Sequence, residues 1–160
     1  MAKQKSGTPA TTALDRAGIS YQLHPYDHAD DEVHFGEEAA AKLGVDPAVI
    51  FKTLVVDTGS GLAVGVVPVA GQLDLKAMAG ALSVKKVAMA DPAAATRSSG
   101  YVLGGISPIG QRTALPTIVD SSAAGLASVM VSAGRRGLQV RLAPADLVSV
   151  TGARYADIGR

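Results

Sequence analysis

The chain has 160 residues, 48% hydrophobic and 18% charged, which is enough for one domain with a substantial core and excludes a disordered chain. Aromatics make up only 4%, so the core is expected to be Ala, Val, Leu and Ile; the absence of Cys excludes a disulfide framework, a thiolate nucleophile and Cys-ligated zinc or iron–sulfur centres. The net charge of +1 divides unevenly, with five basic against ten acidic residues over 1–75 and ten basic against four acidic over 76–160, so the C-terminal half is either a phosphate-facing surface or a solvated counterweight.

Residues 1–6 read as disordered, and the start MAKQKSGTPA lacks a signal-peptide apolar stretch. No apolar run approaches the roughly 20 residues that span a bilayer, so the expectation is a cytoplasmic protein with no membrane partner. Thr8-Pro9 reads as an N-cap and first helical residue, with the helix closed by Gly18. Ser20 to His24 alternates as a strand, and a polar acidic stretch, PYDHADDEVHFG, follows. Glu37 to Leu43 is expected to be a short helix ending at Gly44. Asp46-Pro47 opens a single helical turn into IFKTLVV, TGSG makes a turn, and LAVGVVPV returns, so residues 50–68 read as a hairpin.

Leu73 to Leu82 has helical spacing, Lys86 to Met89 is a short strand, and Asp91-Pro92 starts another helix. GYVLGGISPIGQR at 100–112 is too Gly-rich for regular structure throughout. Strands are expected at Thr117–Val119, Ser128–Ser132 and Leu138–Leu142, a last helix at Pro144–Val150, and an edge strand at Ala156–Ile158. Interleaved helices and hairpin-length links give one α/β domain over residues 1–160, its central sheet mixed and largely antiparallel with flanking helices.

The usual catalytic kits are missing. There is no G-x-S-x-G, no G-x-x-x-x-G-K-[ST], and no G-x-G-x-x-G after a strand. His24, His28 and His34 lie near Asp27, Asp30 and Asp31, but Pro25 disfavours the helix that would align an i, i+4 pair, so no metal site is read here. Lys52 stands out. Strand alternation puts it with Ile50, Leu54 and Val56, where an ammonium either snorkels at an edge or is partly desolvated beside a cleft. The loop around Gly104, Gly105, Pro108 and Gly110 is either a set of tight turns or a receptor whose backbone N–H groups converge on an oxyanion or phosphate.

These segments resemble the YbaK/EbsC family, in particular its Cys-tRNA(Pro) deacylases. The matching stretches are TPA (8–10), HPYDH (24–28), HFGEEAAAKLG (34–44), FKTLVV (51–56), PVAGQLDLK (68–76), KKVAMADP (85–92), GYVLGGISPIGQ (100–111) and RRGLQV (135–140), in order across residues 7–159. The resemblance implies a YbaK-like fold and proofreading in trans, clearing cysteine mischarged onto proline tRNA, with prolyl-tRNA synthetase as partner and no cofactor or metal. Cys is no larger than Pro, so a proline pocket cannot exclude it sterically.

Position by position, the family's essential lysine matches Lys52. Its G-x-x-x-P loop matches Gly104, Gly105, Ile106, Ser107 and Pro108, with Gly104 and Gly105 amides as oxyanion donors. Its pocket residues match Tyr26, Phe35, Thr53, Ser132 and Gly134. The substrate's own thiol is taken as nucleophile, which accounts for the missing one here. Lys85, Lys86, Arg135 and Arg136 are the expected tRNA contacts. Three departures stand out: Gln139 replaces an aspartate, Pro25 a threonine, and Arg112 alone remains of the lysines after the GISP-x-G-Q run. Two other readings remain beside this one, a deacylase for Ala or another small amino acid and a non-catalytic module that binds tRNA or a synthetase.

Overall fold

The computed structural model describes residues 7–160; the disorder expected over residues 1–6 lies outside the described residues. Helix α1 (Pro9–Arg16) starts where the sequence places its cap: Thr8 Oγ1 accepts the Thr11 N–H at 3.1 Å and donates to the Ala133 carbonyl at 2.6 Å. That one hydroxyl both caps the helix and ties it to a distant strand. Strand β1 (Gln22–Pro25) follows. Helix α2 (Phe35–Leu43) begins two residues earlier than its expected start at Glu37, because the Glu32 carboxylate takes the His34 N–H at 2.7 Å and turns the chain there; Gly44 closes it with φ +65°.

The hairpin forms as expected, β2 (Phe51–Asp57) against β3 (Leu62–Pro68), followed by α3 (Leu75–Ala81), a two-residue β4 (Ala88–Met89) and α4 (Pro92–Ser99). Strand β5 (Thr117–Asp120) leads into an unanticipated 3-10 turn over Ser121–Gly125, then β6 (Val129–Arg135), β7 (Leu138–Leu142), α5 (Pro144–Thr151) and β8 (Arg154–Ala156). Strand β8 falls two residues before the expected 156–158, because the N–H groups of Ile158 and Gly159 are taken by the Asp120 carboxylate at 3.1 and 2.9 Å instead of a ladder.

The strands divide into two sheets, β1-β7-β6 and β4-β2-β3-β5-β8, with four antiparallel and two parallel pairings. The fold is thus α/β with mixed, mostly antiparallel strands, and a single parallel bridge, Ile50 to Met130, joins the two sheets. The largest core cluster lies between them and is mainly aliphatic, with Phe51 and Tyr101 as its fully buried aromatics. No helix among the described residues is long and apolar enough to cross a membrane.

Candidate active site

The site lies where the two sheets part. Val69 N–H donates to the Ile50 carbonyl at 2.9 Å, which sets the alternation of β2: Ile50, Lys52 and Leu54 turn their backbone groups toward β3, while Val49, Phe51, Thr53 and Val55 turn theirs outward. At one end of this outer edge the Val49 carbonyl accepts Met130 N–H from β6 at 2.9 Å. At the other, the Val55 carbonyl accepts Ala90 N–H at 3.0 Å beside β4. Between them, around Phe51 and Thr53, no strand pairs with β2, and a cavity of about 380 Å³ opens. Lys52 and Leu54 line it from one strand face and Phe51 and Thr53 from the other, with Ser132 and Gln139 arriving from the second sheet.

Half-buried Lys52 has no ion-pair partner among the described residues, so its ammonium is available to a bound anion. Two acceptors at the cavity are also unspent: Thr53 Oγ1 and Gln139 Oε1 are buried with no hydrogen-bond partner. Orphaned buried acceptors are costly and uncommon, and a ligand is one way they are satisfied.

The glycine loop forms the opposite wall and is braced from three sides. Gly104 adopts φ +82° directly against Phe35. Gly110 adopts φ +69° beneath α1, where a Cβ would stand 2.5 Å from the Pro9 carbonyl oxygen, which gives the TPA motif a structural reason. The Ser132 hydroxyl donates to the Gly105 carbonyl at 3.0 Å and accepts Gly134 N–H at 3.2 Å, so it is a strut and its proton is committed. A bulge between Ser132 and Arg135, with Gly134 at φ +109°, makes this possible. Tyr101, its phenol pushed up to about 12 by burial, donates to the Ile109 carbonyl at 2.6 Å and holds the two ends of the loop together.

One expectation needs correction. The Gly105 N–H is donated to the Val102 carbonyl at 2.9 Å, closing a turn, so it is not free to receive an oxyanion. The Gly104 and Ile106 N–H groups, on residues that do line the cavity, make no hydrogen bond among the described residues.

The cavity mouth is set by the acidic stretch. Glu38, only 7% exposed, accepts from Ala29 N–H at 2.8 Å, pairs with His28 Nδ1 at 2.7 Å and lies 3.5 Å from Lys42 Nζ. Burial alone would raise the Glu38 carboxyl, but the His28 and Ala29 hydrogen bonds and the Lys42 charge outweigh it and hold it below its usual range. The pinned loop delivers Val33, His34 and Phe35 to the mouth. His34 engages Glu32 instead, and the described residues contain no group of three or more His, Asp or Glu able to hold a metal ion.

Of the expected site residues, the structure brings Lys52, Phe35, Thr53, Gly104, Ile106 and Ser132 to one cavity. Ser107 and Pro108 are buried within the loop and do not line the cavity, Ser107 Oγ accepting Ile109 N–H at 3.2 Å, and Gly105 and Gly134 serve the bracing. Tyr26 packs against the small cluster that includes Ala40, Ile50 and Met130, beside Gln139, its phenol raised first by burial. Lys85, Lys86 and Arg135 are exposed. Arg136 is largely committed: its Nε donates to the Leu103 carbonyl at 2.6 Å and its guanidinium sits 5.0 Å from the Phe35 ring centroid. Sequence reasoning missed that clamp, and it noted Gln139 only as a departure.

Comparison with known proteins gives the family and the fold. A sequence profile of the aminoacyl-tRNA editing domain matches residues 30–150. A protein of Enterococcus faecalis described as a candidate Cys-tRNA(Pro)/Cys-tRNA(Cys) deacylase, EbsC, is 38% identical over 99% of this chain and 98% of its own. Two solved structures share the fold. One is described as a candidate trans-editing enzyme for prolyl-tRNA synthetase, with TM-score 0.85, 24% identity and 99% of both chains covered. The other is the hypothetical protein APE2540, with TM-score 0.83, 26% identity, and 95% of this chain and 99% of that one covered.

Proposed function

The chain belongs to the aminoacyl-tRNA editing domain family, and from that premise we propose that it is a trans-acting deacylase that removes cysteine mischarged onto tRNA(Pro). The observation that carries the reading is that one cavity is lined by Lys52, which has no ion-pair partner among the described residues, and by Gly104 and Ile106, whose amides make no hydrogen bond there. Positioned donors of this kind are what a tetrahedral acyl intermediate requires.

Of the side-chain hydroxyls at the cavity, Ser132 is a strut and Thr53 has no hydrogen-bonded base to activate it, and the described residues hold no Cys. The reading therefore assigns attack to the substrate. The cysteine sulfur, as thiolate, adds to its own ester carbonyl carbon, and the carbonyl electron pair moves to oxygen. Lys52 and the Gly104 and Ile106 amides stabilise that oxyanion. Collapse breaks the carbon–oxygen ester bond, and the departing ribose oxygen takes up the proton lost from sulfur. The products are free tRNA and a cyclic thiolactone, with no water consumed. Intramolecular attack gains an effective molarity that can reach ~10⁵ M or more.

A net charge of +1 supplies little general attraction to RNA, which favours recruitment through prolyl-tRNA synthetase. Deacylation of Cys-, Ala- and Ser-charged tRNA(Pro) by the purified protein tests the reading. Fast loss of Cys alone is expected. Equal loss of Ala would assign attack to water, and no loss from any substrate would leave a binding module.

A further inference from the structure

Two acceptors at the cavity are not used by the chemistry above. Gln139 is 7% exposed, and its Oε1 has no partner; Thr53 Oγ1, facing the same cavity from β2, has none either. A third acceptor adjoins them. The Thr53 carbonyl points outward from the unpaired stretch of β2 by the alternation that Ile50 and Val55 establish, and it accepts no hydrogen bond from outside that strand's ladders.

Three unspent acceptors on two residues that line one cavity call for a ligand rich in donors. An aminoacyl ester has three candidates: a ribose hydroxyl with one N–H or O–H equivalent, a thiol with one weak donor, and an α-ammonium with three donors and no acceptor. Only the last matches the set. Thr53 presents its side chain on the opposite face of β2 from Lys52, so the two residues approach one ligand from either side of the strand's unpaired edge. The α-carbon is bonded directly to the reacting carbonyl carbon, so gripping its nitrogen at one wall while Lys52 and the loop amides hold the carbonyl oxygen fixes the plane of the ester.

We propose that Gln139 and Thr53 form the receptor for the α-ammonium group of the aminoacyl substrate, with Gln139 as a neutral positioning residue for it. The assignment rests on the deacylase reading. It makes the site selective for a free amino terminus and indifferent, at this wall, to the side chain. Glu37, the carboxylate at the cavity rim, is exposed and is assigned no part in the grip.

The test uses two non-hydrolysable probes, 3′-alanylamino-3′-deoxyadenosine and its 3′-propionylamino counterpart, which lacks only the α-amino group. Calorimetry on the intact protein should show the amino form binding at least ~10-fold tighter, the scale of a hydrogen bond to a charged donor. Gln139→Leu and Thr53→Val should each collapse that ratio toward one, while Gln139→Glu, which keeps an acceptor in place, should preserve it. A wild-type ratio near one overturns the proposal. So does a ratio that survives both apolar substitutions, or one that collapses instead in Glu37→Gln. Binding of neither probe by a wild-type protein that still deacylates Cys-tRNA(Pro) overturns the receptor alone, whereas absence of both binding and deacylation overturns the reading beneath it.

Discussion

A side-chain carbon on Gly104 would stand 2.6 Å from the Phe35 ring, inside any tolerable contact, and Gly104 already occupies φ +82°. Gly104→Ala therefore carries both a clash and backbone strain. Deacylation by this variant is expected to fall at least ~10-fold, since a misplacement of about 1 Å can cost 10²-fold. Phe35→Ala removes the clash and leaves the strain, so a double-mutant cycle in kcat/KM should be less than additive. Strict additivity would mean that the two residues do not share the wall of one cavity.

The exposed Lys85, Lys86 and Arg135 are the candidate phosphate contacts, while Arg136 is engaged with Leu103 and Phe35. Affinity for tRNA, read by filter binding, should fall as salt rises. Alanine at Lys86 or Arg135 should flatten the slope. Arg136→Ala should instead lower kcat with the slope nearly unchanged. A slope unmoved by the first two substitutions and reduced by the third would reverse the assignment.

Glu38 holds the mouth through His28 and Ala29, and its carboxyl is depressed. A group whose folded-state value lies below its unfolded one contributes stability that is present above the unfolded value, near 4.5, and lost as pH falls through the folded one. Glu38→Gln should lower Tm at pH 7 by about 2–4 °C, the shift that ~1 kcal/mol produces in a domain of this size. Thermal melts should show the gap narrowing once pH drops below that range. A gap that is constant with pH would mean that the contribution is packing and not charge.

His28 and His34 each pair with a separate glutamate, and the described residues hold no cluster fit for a metal ion. Deacylation should survive exhaustive chelation. Activity lost to a chelator and restored by added zinc would return the His24, His28 and His34 stretch to consideration.

How much of this was legible in the sequence follows from the range of the interactions involved. The α1 cap, the 50–68 hairpin and the αL closure at Gly44 rest on neighbours within a few residues, and they appear where their residues predict. The parting of the sheets does not, because it depends on Met130 reaching Val49 some 80 positions away. Lys52 stood out as a charge in an apolar strand, but whether it snorkels or faces a cleft depends on where β4 stops. Arg136 read as one more cation in a basic half because nothing local signals its stacking on Phe35. Gly105 was legible as flexible, yet its commitment to Val102 emerged only with the turn itself. The motif resemblance carried the rest of the site, and it drew attention to Gln139 without explaining it.

The central claim is that Lys52 stabilises an oxyanion raised by the substrate's own thiol. It is tested most directly by single-turnover deacylation of Cys- and Ser-charged tRNA(Pro) with wild type, Lys52→Ala and Lys52→Arg. The account predicts that Lys52→Ala loses roughly 10²-fold or more on Cys-tRNA(Pro), the scale of a lost oxyanion stabiliser, and that Arg does not restore it, because a planar fork replaces a compact ammonium. Wild type should clear Ser-tRNA(Pro) far more slowly, since a thiol with an ordinary value near 8.5 is partly ionised at neutral pH and a hydroxyl is not. Full activity in Lys52→Ala, or equal wild-type rates on the two substrates, would contradict it.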